Sequence, residues 1–382
     1  MVISAGRPVG RVPALLLAVL ILIAACTSGS SDQATGNWEL VTPAGMAPAS
    51  LSAGSAGVLV GGASDGPDQH PQFALRRAGA WQNVPATATT AYGGMGTIVH
   101  AGMSRDGSIV AIGNVSGGAH LNPRWSAWIG TTSGLTEEQQ TVETFGGPEA
   151  GGITGVLTVD APDGPMPLVV GMWSVVPGLT GIATWRHDAA LKPSTWVRQP
   201  SPPVLAGTKQ GLVSATAAVN ADPGVMIAGL ETTFDGSKVH QRAVVWMSPD
   251  AVSWTRVDLD TSEMDSAATD LSCHGGSCVV VGRLDDLLAA WQVIGTIVSP
   301  LQGLPARAVD QYPGQPRVAT DGSALAIAVG AGDELLSRSA SGTWVSARTP
   351  AGEAREVGLH DGHLYLLLRP PDGREVLYSR PL

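Results

Sequence analysis

The chain has 382 residues, of which 14% are charged, and its 32 acidic side chains against 22 basic ones give a formal charge of −10. That balance speaks against a nucleic-acid partner, which would need a basic face. With 49 glycines and 27 prolines, the composition favours many turns and short strands over long helices, and the length suits a repeat architecture better than one ordinary core.

The N-terminal segment addresses the compartment. Arg7 and Arg11 form a short positive region, Pro13 follows, and Ala14 to Ala25 is an unbroken apolar run. That run is shorter than the roughly 20 residues a membrane-spanning helix needs and matches a signal-peptide core. It ends in Ile23-Ala24-Ala25-Cys26, which resembles the lipobox of bacterial lipoproteins. The resemblance implies removal of residues 1–25, acylation of Cys26 with chains such as palmitate, and anchoring at the extracytoplasmic face of the cell membrane. Two or three acyl chains suffice for stable attachment. Residues 27–35 then form a polar tether that spans about 30 Å at most, followed by one domain over 36–382.

That domain carries a concealed repeat. Seven short apolar runs each follow a turn, and most end in glycine: Val58–Gly61, Ile109–Gly113, Leu168–Gly171, Val225–Gly229, Cys278–Gly282, Leu325–Gly330 and Leu364–Leu368. Their turns include Asp106-Gly107, Asp163-Gly164, Gly275-Gly276, Asp321-Gly322 and Asp361-Gly362, dipeptides that supply the positive φ of a tight hairpin. The runs are too short for helices and rich in strand formers, as fully buried strands are. Their spacing of about 50 residues is that of a propeller blade.

An aromatic pattern completes each unit. Phe73, Trp128, Trp185, Trp246, Trp291 and Tyr378 fall in a third strand, and Trp81, Trp196, Trp254 and Trp344 fall in or beside a fourth. Each unit therefore reads as four antiparallel strands, A to D. The blades run over 48–90, 93–146, 150–204, 207–260, 262–305, 310–349 and 352–382, the last one strand short. Asn37-Trp38-Glu39-Leu40-Val41-Thr42-Pro43 has the fourth-strand pattern with no unit before it, so pairing it with the C-terminal unit closes the ring and removes two sheet edges. The expectation is an all-β, seven-bladed β-propeller sealed by its N-terminal strand.

Local motifs support fold more than chemistry. Ser248-Pro249-Asp250-Ala251-Val252-Ser253-Trp254 resembles the Asp-box (BNR) turn of bacterial sialidases and many unrelated propellers, and Ser341-Gly342-Thr343-Trp344 keeps the end of the pattern. In those families the turn is structural, so the resemblance implies a propeller and not an activity. Cys273 and Cys278 flank a hairpin turn and suit a disulfide of an oxidising compartment, worth roughly 2 kcal/mol by loop entropy. A redox pair or a metal site with His274 would lack further ligands nearby in sequence. His360 and His363 flank the Asp361-Gly362 turn as partly packed imidazoles.

No serine-hydrolase elbow, phosphate loop or zinc-protease helix is present in the sequence, and no group of arginines stands in a sialidase context. No cofactor or metal is implied. Ligands of propellers gather where strands B and C connect and where one blade passes to the next. The B–C connections of blades one to four read as long loops over 63–72, 114–124, 172–181 and 230–241. The candidate ligand-binding residues there are His120, Arg124, Trp173, Phe234 and His240, joined by Tyr92 and Tyr312 from blade-to-blade links. The functional expectation is a non-catalytic binding or scaffold lipoprotein recognising an envelope protein or glycan. The alternative is an extracytoplasmic glycosidase or lyase with its site at the same mouth.

Overall fold

The computed structural model describes residues 37–382 apart from 117–122, 162–163, 177, 192–194, 260–261, 263, 311–313 and 331–332. The segment expected to be a signal peptide and tether, with Cys26, and the candidate residues His120 and Tyr312 lie outside the described residues. Each turn dipeptide does what its chemistry allows. Gly275 and Gly276 take φ of +54° and +78°, and Asp361 and Gly362 take +48° and +68°, values of the two-residue turns that match strand twist.

Seven antiparallel sheets result. In chain order A to D, blade one comprises Met46–Gly54, Gly57–Ser64, Pro71–Arg77 and Ala80–Asn83. Blade two comprises Thr97–Met103, Ser108–Val115, Arg124–Thr131 and Gly134–Glu138, and blade three Ala150–Ala161, Gly164–Val176, Leu179–Asp188 and Thr195–Arg198. Blade four comprises Gly211–Asn220, Val225–Asp235, Lys238–Ser248 and Thr255–Asp258, and blade five Ser266–His274, Ser277–Leu284, Leu287–Ile294 and Ile297–Pro300. Blade six comprises Arg317–Thr320, Leu325–Ala328, Glu334–Arg338 and Trp344–Arg348, and blade seven Glu353–His360, His363–Arg369 and Val376–Pro381. Its fourth strand is Glu39–Leu40, paired antiparallel with Glu39 opposite Ser379 and Leu40 opposite Tyr378. The ring is sealed by its own N-terminal segment. Trp38 donates its indole N–H to the Arg348 carbonyl at 2.9 Å and packs near Tyr378 in the core between blades six and seven.

Two boundaries differ from the sequence reading. Ala86–Thr87 belongs to the sheet of blade two, not to blade one, because it pairs parallel with Leu135–Thr136 at that sheet's outer edge. The B–C connections of blades three and four are not long loops. Strand formers continue through Trp173 and Phe234, so the ladders run on to Trp173 opposite Gly181 and Asp235 opposite Lys238. Two tall hairpins stand there instead.

Each pair of neighbouring blades shares one apolar core, seven in all. Trp128, Trp185, Trp246 and Phe73 lie at 0–1% exposure, filling the wedge between sheets, and truncating one such tryptophan to alanine costs roughly 3–5 kcal/mol. Cys273 and Cys278 are bonded across the A–B hairpin of blade five, Cα atoms 4.0 Å apart.

The recurrent glycine has a steric cause. Strand A carries a β-bulge between Pro48 and Ser50, Ile98 and His100, Ile153 and Gly155, Ala215 and Ala217, Ala268 and Asp270, and Ala354 and Glu356. Opposite the bulge stands the last glycine of the apolar run. A Cβ on Gly229 would lie 1.9 Å from the Ser214 carbonyl oxygen, and one on Gly282 would lie 1.8 Å from that of Ala267. The glycine lets strand A crowd against strand B, and the bulge turns two successive side chains the same way.

Candidate functional site

The bulges build the inner rim of the ring. Thr154, Thr216 and Thr269 hold equivalent bulge positions in blades three to five, and each donates its hydroxyl to a carbonyl on strand A of the next blade or just ahead of it: Ala215 at 3.5 Å, Ala268 at 2.9 Å and Pro316 at 3.0 Å. The same register puts Arg355 at this position in blade seven, whereas strand A of blade six pairs without a bulge, Arg317 opposite Ala328 and just ahead of Val318. The next position is His100 in blade two, Asp270 in blade five and Glu356 in blade seven. Asp270 accepts from the Val318 N–H at 2.9 Å, and Glu356 accepts from the Leu51 N–H through Oε2. Both carboxyls thereby clasp the following blade.

Burial on this rim perturbs His100, Glu356 and Asp270 in definite directions. Burial holds His100 down to about 4, against a hydrogen bond to the Ile153 backbone that pulls the other way and with the Arg317 charge adding to the fall. Burial raises Glu356 to about 8, opposed by the Leu51 N–H and by Arg317. Burial raises Asp270 as well, with Arg317 countering. Each of these three side chains keeps a little accessible surface although protein surrounds it, as expected of groups bordering an axial channel. At neutral pH the rim thus offers an uncharged imidazole, a protonated carboxyl and a fixed guanidinium. Chemically that is a base, an acid and an anion holder within one electrostatic neighbourhood.

The candidate residues read from sequence are distributed differently. Tyr92, 48% exposed, and Arg124 line one small cleft of about 80 Å³ with Thr90, Gln140 and Thr141. Its floor, Glu137, is buried and accepts from the Thr89 and Thr90 N–H groups at 2.7 and 2.8 Å and from the Thr90 hydroxyl at 2.7 Å. Trp173 stands on the blade-three hairpin, half-buried against Trp185 with ring centroids 5.9 Å apart, and Arg198 stacks on it at 4.8 Å. Phe234, 53% exposed, sits at the tip of the blade-four hairpin opposite Val239, which is 52% exposed. His240, one residue on, lies 3.7 Å from Asp265. The structure therefore joins Tyr92 to Arg124, puts Phe234 and His240 on one hairpin in successive cross-strand pairs, and places Trp173 in packing.

The rim residues His100, Asp270, Arg317 and Glu356 were missed by the sequence reading. Their signal was a charged or imidazole side chain inside strand A, just ahead of the turn that precedes each apolar run, where threonine, glycine or alanine stands in other blades. The opposite end of the ring, formed by A–B and C–D turns, holds a cleft of about 450 Å³ between blades five and six, lined by His274, Ser277, Gln292, Ser323 and Arg338. Among the described residues no group of His, Cys, Asp and Glu is arranged to hold a metal, and no helix is long and apolar enough to cross a membrane.

Fold and rim together define a seven-bladed β-propeller whose inner strands carry polar and charged side chains. No protein-family model matches the sequence, and no curated protein matches it either. Solved structures are similar in fold. A streptogramin B lyase superposes with a TM-score of 0.53 at 10% identity, covering 90% of this chain and 97% of that one. The β-propeller domain of the Trilobed protease from Pyrococcus furiosus gives 0.51 at 9% identity over 87% and 95%. The polysaccharide lyase Uly1 gives 0.50 at 10% identity over 87% and 89%.

Proposed function

We propose that the protein is a lipid-anchored, extracytoplasmic binding propeller that presents its B–C face to an envelope protein or glycan. The observation that carries this reading is the tall hairpin of blade four, whose tip exposes Phe234 beside Val239. Exposed aromatic and β-branched side chains on a rigid hairpin are the usual makings of a contact surface. The Cys26 lipobox and the short tether add that the ring works close to the membrane. The two axial carboxyls are already occupied as blade clasps, which supports a scaffold role over catalysis. The test is capture of cross-linked envelope partners by the full-length chain and by Phe234→Ala. Loss of the specific partner by about tenfold in affinity is expected for a hot-spot aromatic, and undiminished capture by the folded variant removes this surface. Cys26→Ser is expected to abolish radiolabelled palmitate incorporation.

A second reading has its own support. A protonated Glu356 and a neutral His100 on one rim suit general acid–base chemistry, and two of the three structural neighbours are named as lyases. Under this reading the channel mouth is the site of an extracytoplasmic glycosidase or lyase. Incubation with acidic polysaccharides, following reducing ends and the ultraviolet absorbance of a new carbon–carbon double bond, tests it. Activity equal in wild type and Glu356→Gln would count against these residues.

A further inference from the structure

Arg317 is the exception on the rim. The rim threonines of three other blades satisfy themselves on a neighbouring carbonyl. The other rim arginine, Arg355, is paired with Glu353 at 2.9 Å. Arg317 has neither arrangement. Its Nε is buried with no hydrogen-bond partner, and among the described residues no carboxylate lies within ion-pair distance of its guanidinium. Yet His100, Asp270 and Glu356 all feel its charge, which puts it central to the rim. The Arg317 side chain is half-buried, and a buried N–H left unmet is costly in a folded protein unless something satisfies it.

We propose that the axial channel is a binding site for a carboxylate-bearing ligand, anchored by the guanidinium of Arg317. The planar fork of arginine matches a carboxylate with two parallel hydrogen bonds. The flanking groups select the charge of the ligand. Asp270 and Glu356 border the site, so a dianion such as phosphate meets two acidic side chains. A monoanion meets a Glu356 carboxyl that is protonated near neutrality and able to donate from Oε1, since Oε2 already accepts from Leu51. The inference rests on the unpartnered Arg317 Nε and the groups around it, and on neither functional reading above.

The test uses the full-length chain with ¹⁵N-labelled arginine, following side-chain Nε–H resonances by NMR. Sodium glucuronate is the probe, with its uncharged methyl ester and sodium phosphate compared at matched ionic strength. One arginine resonance, absent in Arg317→Gln, is expected to shift saturably with glucuronate and stay still with the ester. Arg317→Lys keeps the buried charge but loses the fork, so it is expected to bind glucuronate at least about tenfold more weakly, and it carries the test should Arg317→Gln fail to fold. An Arg317 resonance that ignores glucuronate overturns the proposal. So does one that responds as strongly to phosphate, because the site would then read charge and not a carboxylate. Phe234→Ala is expected to leave the response unchanged, which separates failure here from failure of the hairpin surface.

Discussion

Blades three to five and blades six to seven solve the same problem with different chemistry. Every strand A in these blades must meet its neighbour at the axis, where the ring is tightest. In blades three to five a threonine hydroxyl spans the gap, a neutral link that costs little to bury. Blade six carries Arg317 and blade seven Arg355 on strand A, and the carboxyl clasps frame them, Asp270 of blade five holding blade six and Glu356 of blade seven holding blade one. The neutral arc is built for holding the ring shut. The charged arc holds it shut too, but carries burial costs that a purely structural rim would avoid. Sites that depart from the locally cheapest solution are where function tends to reside.

The largest expected effect breaks what both arcs share. Gly282→Ala adds only a methyl group, yet that carbon would stand 1.8 Å from the Ala267 carbonyl oxygen, so strand A must leave its bulge. We expect a loss of about 3 kcal/mol or more in denaturant unfolding. A cost below about 1 kcal/mol would mean that the crowding of strand A against strand B does not explain the repeated glycine.

The next effect separates the arcs by pH. Glu356 has a folded pKa of about 8 against 4.5 for the free group, so the folded state holds its proton longer. Its stabilising share is complete below pH 4.5 and is lost as pH rises towards 8. Glu356→Gln removes that loss while keeping an acceptor for the Leu51 N–H. The variant should gain on the order of 2 kcal/mol relative to wild type between those limits, less than the full shift because channel water screens the charge. His100 runs the other way. Its pKa of about 4 against 6.5 makes the folded state lose stability as pH falls from 6.5 to 4, and His100→Asn should flatten that acid limb. Midpoints of urea unfolding across pH 4 to 9 read both slopes, and parallel curves for wild type and Glu356→Gln would show that Glu356 is solvated.

Much of the ring was legible before any coordinates because its causes are local. Asp361-Gly362 and Gly275-Gly276 need positive φ, the buried runs need strand formers, and Trp38 needs a sheet that lacks its fourth strand. The hairpins of blades three and four were misread as loops because Pro, Gly and Asp in and around 177–178 and 235–237 signal a turn without saying how far pairing continues beyond it. The rim was illegible for a different reason. His100, Asp270, Arg317 and Glu356 come from four blades, and only ring closure brings them to one axis. A bulge in strand A, which decides where they point, leaves no dipeptide signature of its own in the sequence. Tyr92, Phe234 and His240 stood out as candidates because long, variable connections attract attention, whereas a charge inside a short inner strand reads as an ordinary surface residue.

The smallest effect is the sharpest on the contrast between arcs. Thr216→Val removes a hydroxyl that donates to Ala268 at 2.9 Å and should cost about 1 kcal/mol. Arg317→Thr puts the neutral solution into the charged arc. If Arg317 is a structural element like Thr216, the exchange should be destabilising, since it removes the cation that steadies Asp270 and Glu356. If Arg317 is kept for a ligand, the exchange relieves an unmet buried donor and should raise stability by about 1 kcal/mol in ligand-free protein. The two carboxyls limit that gain, but Glu356 is already protonated at neutral pH and loses little when the cation goes. We therefore expect the midpoint of unfolding to rise for Arg317→Thr and to fall for Thr216→Val. Opposite signs at these two rim residues would show that the axis is divided between holding and binding, and equal signs would return Arg317 to the scaffold.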